Sequence, residues 1–205
     1  MTGKICISLI VLSAAALAQS RMVSGPAPAV AGPSFDVSLG YSRLNMSSPS
    51  GNVALNGVDS AASVGLSPRW GAMIDTSYLR ASNVFDTHHQ AYALSVRGGP
   101  VFYPFERGNT RAFLHGLAGG SLIDGAVLVN DTQFFHGWLL RPSFAAGGGV
   151  EHWFPNGFAL RGNLDYVRTT FYSTSGTAQG QNNLQFTVSW VFHLKERPHN
   201  RSRVR

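Results

Sequence analysis

Glu151 and Arg161 stand ten positions apart across a Pro155-Asn156-Gly157 turn. If the flanking segments are strands, both side chains fall on one face and nearly opposite each other. A carboxylate and a guanidinium placed so form a charge-assisted pair. Five other ionisable residues fall on the same kind of face in their own segments: Asp36, Asp75, Arg97, Arg141 and Asp165. Three cations against four anions is near balance, as an ion-pair network sealed from water requires. Two functions suit such a set. It can be a gate or proton path, or a structural plug; buried charges are paired in either case, and the plug is the reading preferred here.

Other chemistries are poorly supported. Glu151 and His152 are neighbours, so in a strand they point to opposite faces and cannot cooperate. His136 and Ser143 find no acid on a shared face, and no nucleophile–base–orienter set emerges. His88-His89 is an adjacent pair without metal-site spacing. Gly147-Gly148-Gly149 lacks the Lys-Ser/Thr of a phosphate loop; in a strand it permits curvature and makes room for inward Arg side chains. No catalytic residue, metal site or cofactor is expected.

These residues need elements to position them. From Ser34 the chain alternates apolar and polar residues with period two, broken by turn residues, and shows no helical stripe. Eight segments result: 34–44, 59–67, 70–79, 90–103, 111–120, 138–153, 158–168 and 182–194. The last is the clearest, with Leu184, Phe186, Val188, Trp190 and Phe192 against Gln185, Thr187 and Ser189. The fifth alternates weakly, and His115 is placed on its polar side. Connections alternate between short (67–69, 104–109, 155–157) and long (45–58, 80–89, 121–137, 169–181), the pattern of outer-membrane barrels. Phe35, Trp70, Tyr103, Phe105, Trp153, Phe154, Phe158 and Phe192 cluster beside the short turns or termini. Tyr78, Tyr92 and Trp138 lie beside the long connections. Two aromatic girdles are expected of a barrel in a bilayer.

Composition agrees. Charged residues are 13% of the 205, against roughly 25% in a soluble domain, and the only lysines are Lys4 and Lys195. Mean hydropathy is +0.01, as fine alternation gives. A soluble barrel would carry many charges outside, so the apolar face here is assigned outward and the polar face inward. Lys4, the apolar run from Ile5 and Ala16-Leu17-Ala18 form a secretory signal over 1–18. Cleavage removes Cys6, leaving no thiol. Residues 19–33 are a flexible Ala/Pro-rich leader. Residues 195–205 hold five cations and one anion, so the net charge of +6 is mostly a basic C-terminal tail rather than a nucleic-acid-binding face.

The expected fold is therefore an all-β, eight-stranded antiparallel up-and-down transmembrane β-barrel over 34–194. The eight-strand pattern, the Pro-Asn-Gly turn, the Gly-Gly-Gly of the sixth segment and the closing Asn182-Asn183-Leu184-Gln185-Phe186 to Trp190-Val191-Phe192 strand resemble the OmpA-like family of small outer-membrane barrels. That resemblance implies the bacterial outer membrane, outer-membrane lipid and the barrel-insertion machinery as partners, and a terminal aromatic read during insertion. It departs from the family pattern in continuing eleven residues past Leu194, and it shows no peptidoglycan-binding domain. The role expected is structural or surface-interacting, with specificity in the long outer loops. The alternatives are a narrow channel and, less so, a lipid-modifying enzyme.

Overall fold

The computed structural model describes residues 34–48, 51–84, 89–125, 128–130, 133–134, 137–174 and 177–195. The expected signal and leader, and the tail beyond Lys195, lie outside the described residues. Ten strands follow one another: β1 (Phe35–Ser48), β2 (Gly51–Gly65), β3 (Trp70–Val84), β4 (His89–Arg107), β5 (Thr110–Asp124), β6 (Leu128–Asn130), β7 (Gln133–Phe134), β8 (Leu139–Trp153), β9 (Phe158–Thr174) and β10 (Thr177–Lys195). Eight of them close into an antiparallel barrel in the order β1-β10-β9-β8-β5-β4-β3-β2, while β6 and β7 pair as a separate hairpin between β5 and β8. No helix occurs among the described residues.

Closure is made by β1 against β10, from Phe35↔Lys195 to Asn45↔Leu184. Both ends of the barrel chain thus lie at one end of the cylinder, with the turns at 66–69, 108–109 and 154–157. We call this the lower end. Two of those turns need backbone that only glycine adopts freely: Gly108 has φ 59° and Gly157 has φ 84°.

The upper end departs from expectation. Segments 45–58, 80–89 and 169–181 are not long loops, because their strands continue to pair, through a register shift at Ala81/Val84 in one case and at Gln179/Gln181 in another. β1 and β2 pair as far as Ser48↔Gly51, β3 and β4 to Val84↔His89, and β9 and β10 to Thr174↔Thr177. Only the β5–β8 connection is long. The eight barrel strands run 14 to 19 residues, well beyond the roughly 9–11 a tilted membrane strand needs.

The physical reason lies in the alternation itself, which inverts part-way up. In the lower part of β1, Phe35, Leu39 and Tyr41 are exposed while Asp36, Ser38 and Ser42 are buried. Above, Arg43, Asn45 and Ser47 are exposed and Leu44 and Met46 are buried. The same switch occurs in β2, where Val53 and Leu55 replace Asp59 and Ser63 inside, and in β3, where Leu79, Ala81 and Val84 replace Asp75 and Ser77. A stretch whose polar residues lie outside looks like a loop when the reading assumes apolar-outside. In β5 both faces are mixed: Arg111, Phe113, His115, Leu117 and Ile123 all point inward.

Leu55 is completely buried whereas Asn52, three residues away, is exposed. Leu55→Ala should therefore lower unfolding stability by about 2–5 kcal/mol, and Asn52→Ala should stay within about 0.5 kcal/mol. Urea unfolding of the folded barrel in micelles measures both. Equally small effects would restore the loop reading of 45–58.

Candidate functional site: the ionic interior

The inward faces of the lower and middle barrel build two polar clusters beneath an apolar upper layer. In the lower cluster, one cross-strand row joins three adjacent strands: Arg111 on β5 lies opposite Glu151 on β8, and Glu151 lies opposite Arg161 on β9. The two guanidiniums clamp the carboxylate from either side. Arg111 donates from Nε at 2.9 Å and Nη2 at 2.6 Å to Oε2. Arg161 donates from Nε at 2.8 Å to Oε1, with Nη2 2.6 Å from the same oxygen. Glu151 is fully buried. Arg111 Nη2 also reaches Asp36 Oδ2 at 3.4 Å, and Asp36 Oδ1 lies 2.5 Å from His193 Nδ1. Aromatic faces complete the desolvated setting: the Arg111 guanidinium sits 4.2 Å from the Tyr103 ring centroid, and that of Arg161 sits 5.2 Å from Phe113.

The middle cluster rests on Asp75↔Arg97, again a cross-strand pair. Arg97 donates to Asp75 Oδ1 from Nη2 at 2.7 Å and from Nε at 3.1 Å, and its Nη2 also donates to Gln185 Oε1 at 3.0 Å. Gln185 passes the chain on, donating to Ser42 Oγ at 2.9 Å and to Asp59 Oδ2 at 3.5 Å. Across the lumen, His115 Nε2 is 2.7 Å from Asp165 Oδ1, and Asn163 donates to Asp165 Oδ2 at 2.7 Å. A void of about 10 Å³ between the clusters, lined by Asp59, Asp75, His115, Arg161 and Asn163 among others, has room for about one water. Above it, Leu44, Met46, Leu55, Leu79, Val84 and Ile123 fill the lumen.

Six of the seven residues singled out from sequence thus lie in these clusters: Asp36, Asp75, Arg97, Glu151, Arg161 and Asp165. Arg141 does not. It has inward parity, but its register opposite Ser121 puts it at the upper rim, half-buried, with Nη1 donating to the Leu140 carbonyl at 3.4 Å. No described carboxylate pairs with it. The glycine run also serves another purpose than expected. A Cβ on Gly147 would collide with the Asp165 carboxylate, so the missing side chain makes room for an acid rather than an arginine.

Sequence reasoning missed Arg111, Asp59 and His193 as members, although parity contained them. Arg111 shares the face of His115, Asp59 that of Ser63, and His193 that of Ser189. Of the enzyme candidates, Ser143 is buried inside, and His152 points outward to Thr110 Oγ1 at 3.0 Å, away from Glu151. His136 lies outside the described residues, as does His88 of the adjacent pair weighed as a metal site.

No family model matches the chain, and neither does any curated protein. Solved structures do match. The chain is similar to Neisserial surface protein A (TM-score 0.60, 10% identity, covering 77% of this chain and 96% of that one). It is also similar to the outer membrane protein OprG from Pseudomonas aeruginosa (TM-score 0.52, 8% identity, covering 80% and 97%). Its fold is that of the small outer-membrane barrels. The resemblance to OmpA-like barrels holds at the level of fold.

The Arg–Glu–Arg row makes unequal losses an expected outcome. Glu151→Gln strands two buried cations and should cost about 3–5 kcal/mol. Arg161→Ala leaves Glu151 still held by Arg111 and should cost less. A charge swap of Glu151 with Arg161 should recover little, since it brings a new cation against Arg111. Denaturant unfolding of the four proteins tests the order; equal losses for the two single variants would break the shared-carboxylate arrangement.

Proposed function

We propose that this chain is an exported, integral protein of a bacterial outer membrane, with a structural or surface-interaction role and a sealed lumen. One observation carries the membrane reading. Every barrel strand exposes a large apolar side chain on its outward face: Leu39, Val58, Ile74, Val96, Leu114, Phe144, Leu164 and Phe186, each 50–60% exposed. A continuous apolar belt of this kind is untenable in water and suited to lipid. The lower end, with its short turns and both chain ends, then faces the periplasm. The signal over 1–18 directs export, and the barrel-insertion machinery places the folded chain in outer-membrane lipid.

The packed interior supports a plug over a channel, because ion pairs and apolar side chains occupy the eight-stranded lumen. A catalytic role has no supporting constellation on the outward face among the described residues, so none is assigned. Specificity is moved from long loops to the upper strands, the part of the scaffold that stands clear of the belt.

Fractionation should find the protein in outer membranes, with its N-terminus near Gln19; a soluble protein retaining Met1 would end the reading. Depth supplies a sharper check. Leu164→Arg should destabilise the inserted barrel by about 2–4 kcal/mol, and Ser82→Arg, on the protruding part of β3, by about 0–1 kcal/mol. Vesicle-based unfolding measures the difference. Planar bilayers should record no steady conductance, and a large one would favour the channel.

A further inference from the structure

Just above the apolar belt, three strands that run upward carry the same outward pair: Tyr41 and Arg43 on β1, Tyr78 and Arg80 on β3, Tyr166 and Arg168 on β9. The strands between them supply amides. On β2, Asn56 lies opposite both Arg43 and Arg80; on β10, Asn182 lies opposite Arg168. Around five adjacent strands the order is therefore Arg80, Asn56, Arg43, Asn182, Arg168; the first three share one row, whereas Arg43 pairs with Phe186 and the Asn182–Arg168 row lies four residues further along β10. All three arginines are exposed, and none forms an ion pair with a described residue.

The remaining charges sharpen the pattern. Of the described carboxylates, five point into the lumen and Glu106 lies at the lower end. Asp124, outward on β5, accepts a hydrogen bond from the Gly137 amide at 3.0 Å. In register with Arg80, β4 and β5 carry Tyr92 and Asp124, and the row below, in register with Tyr78, carries Leu94, Leu122 and Leu140 on β4, β5 and β8. Among the described residues the arc itself thus carries charges of one sign, with Asp124 two strands beyond Arg80, and its groups are partly held in place. Tyr41 donates to Asn56 Oδ1 at 2.7 Å, Arg43 Nε donates to Asn45 Oδ1 at 3.3 Å, and Arg80 lies 5.8 Å from the Tyr92 ring centroid.

We propose that this Arg–Asn arc is a binding site for the phosphate groups of an anionic lipid in the outer leaflet. The chemistry fits term by term. Tyrosine rings seat in the headgroup layer, so the arginines two residues higher stand at the level of lipid phosphates. A guanidinium fork matches phosphate oxygens, and the amides between can donate to the same oxygens. Arg43 and Arg80 are two strand spacings apart, about 9–10 Å at the backbone, close enough for one headgroup bearing more than one phosphate to meet both.

The inference rests on the outer-membrane reading, and its test separates the two. The full barrel is reconstituted in phosphatidylcholine vesicles, and the association of spin-labelled phosphatidic acid is compared with that of spin-labelled phosphatidylcholine. The wild type should prefer the phosphate monoester. Each of Arg43→Gln, Arg80→Gln and Arg168→Gln should reduce that preference by about fivefold, and the triple variant should abolish it. Arg69→Gln with Arg107→Gln, exposed cations at the lower end, should leave it intact. Excess inorganic phosphate should not compete, because a free ion lacks the lipid's anchoring; effective competition would mean a soluble anion site and overturn the lipid assignment. Equal preference in the wild type and the folded triple variant, or loss with the lower-end pair, would overturn the arc. Failure of the wild type to insert would instead count against the outer-membrane reading.

Discussion

A strand surrounded by hydrocarbon has no water to satisfy its amides and carbonyls, so every strand must find two neighbours. The pairing of β1 with β10 meets that requirement for the last open edges, and the rest of the structure follows from it. Closing eight strands fixes a lumen that side chains can just fill. Once closed, the interior must be packed and its polar groups satisfied from within. The Arg111–Glu151–Arg161 row is one such solution: two strand neighbours share one carboxylate, so the ladder that closes the barrel also fixes the ion pairs.

Closure also explains why the upper strands look different from the lower ones. The inside needs filling along the whole length, while the outside carries an apolar belt below and polar side chains above. Polar groups can be spent inside only where they are mutually paired, as Asp75 is with Arg97. Where strands leave the belt, apolar side chains do that filling more simply, and the polar ones move outside. The switch falls between Ser42 and Leu44 on β1 and between Ser77 and Leu79 on β3. Period two persists through it, and only its sign changes.

That sign change sets what could be read from sequence. The number of strands, their antiparallel order and the lower turns were legible, because alternation and Pro-Asn-Gly chemistry are local signals. The upper halves of β1, β2 and β3 were not, because their outward Arg43, Asn45, Asn52 and Arg80 give the segments a loop-like polarity. The ionic interior was legible by parity, down to the juxtaposition of Glu151 and Arg161 across their turn. Level was not legible. Arg141 has the right parity but stands at the rim, and nothing local tells how far up the cylinder a residue lies. Arg111 was hidden for a different reason. In β5 both faces carry apolar residues, since Phe113 and Leu117 pack inward beside the charges, so no contrast marks the polar side.

The arginines divide the molecule's electrostatics into two regimes, and lysine could serve neither equally well. Inside, Arg97 and Arg111 each grip one carboxylate oxygen through Nε and Nη2 and reach a second acceptor from Nη2, which a compact ammonium cannot do with the same fixed geometry. Above the belt, Arg43, Arg80 and Arg168 face the opposite situation, with hydrated surroundings and no described acid to pair with. The five inward carboxylates are committed to the lumen and cannot neutralise them through the barrel wall. A chain that spends its acids on sealing its interior therefore leaves a positive sector outside. The position of that sector is set by the same register that builds the plug, which ties the surface character of the barrel to the filling of its core.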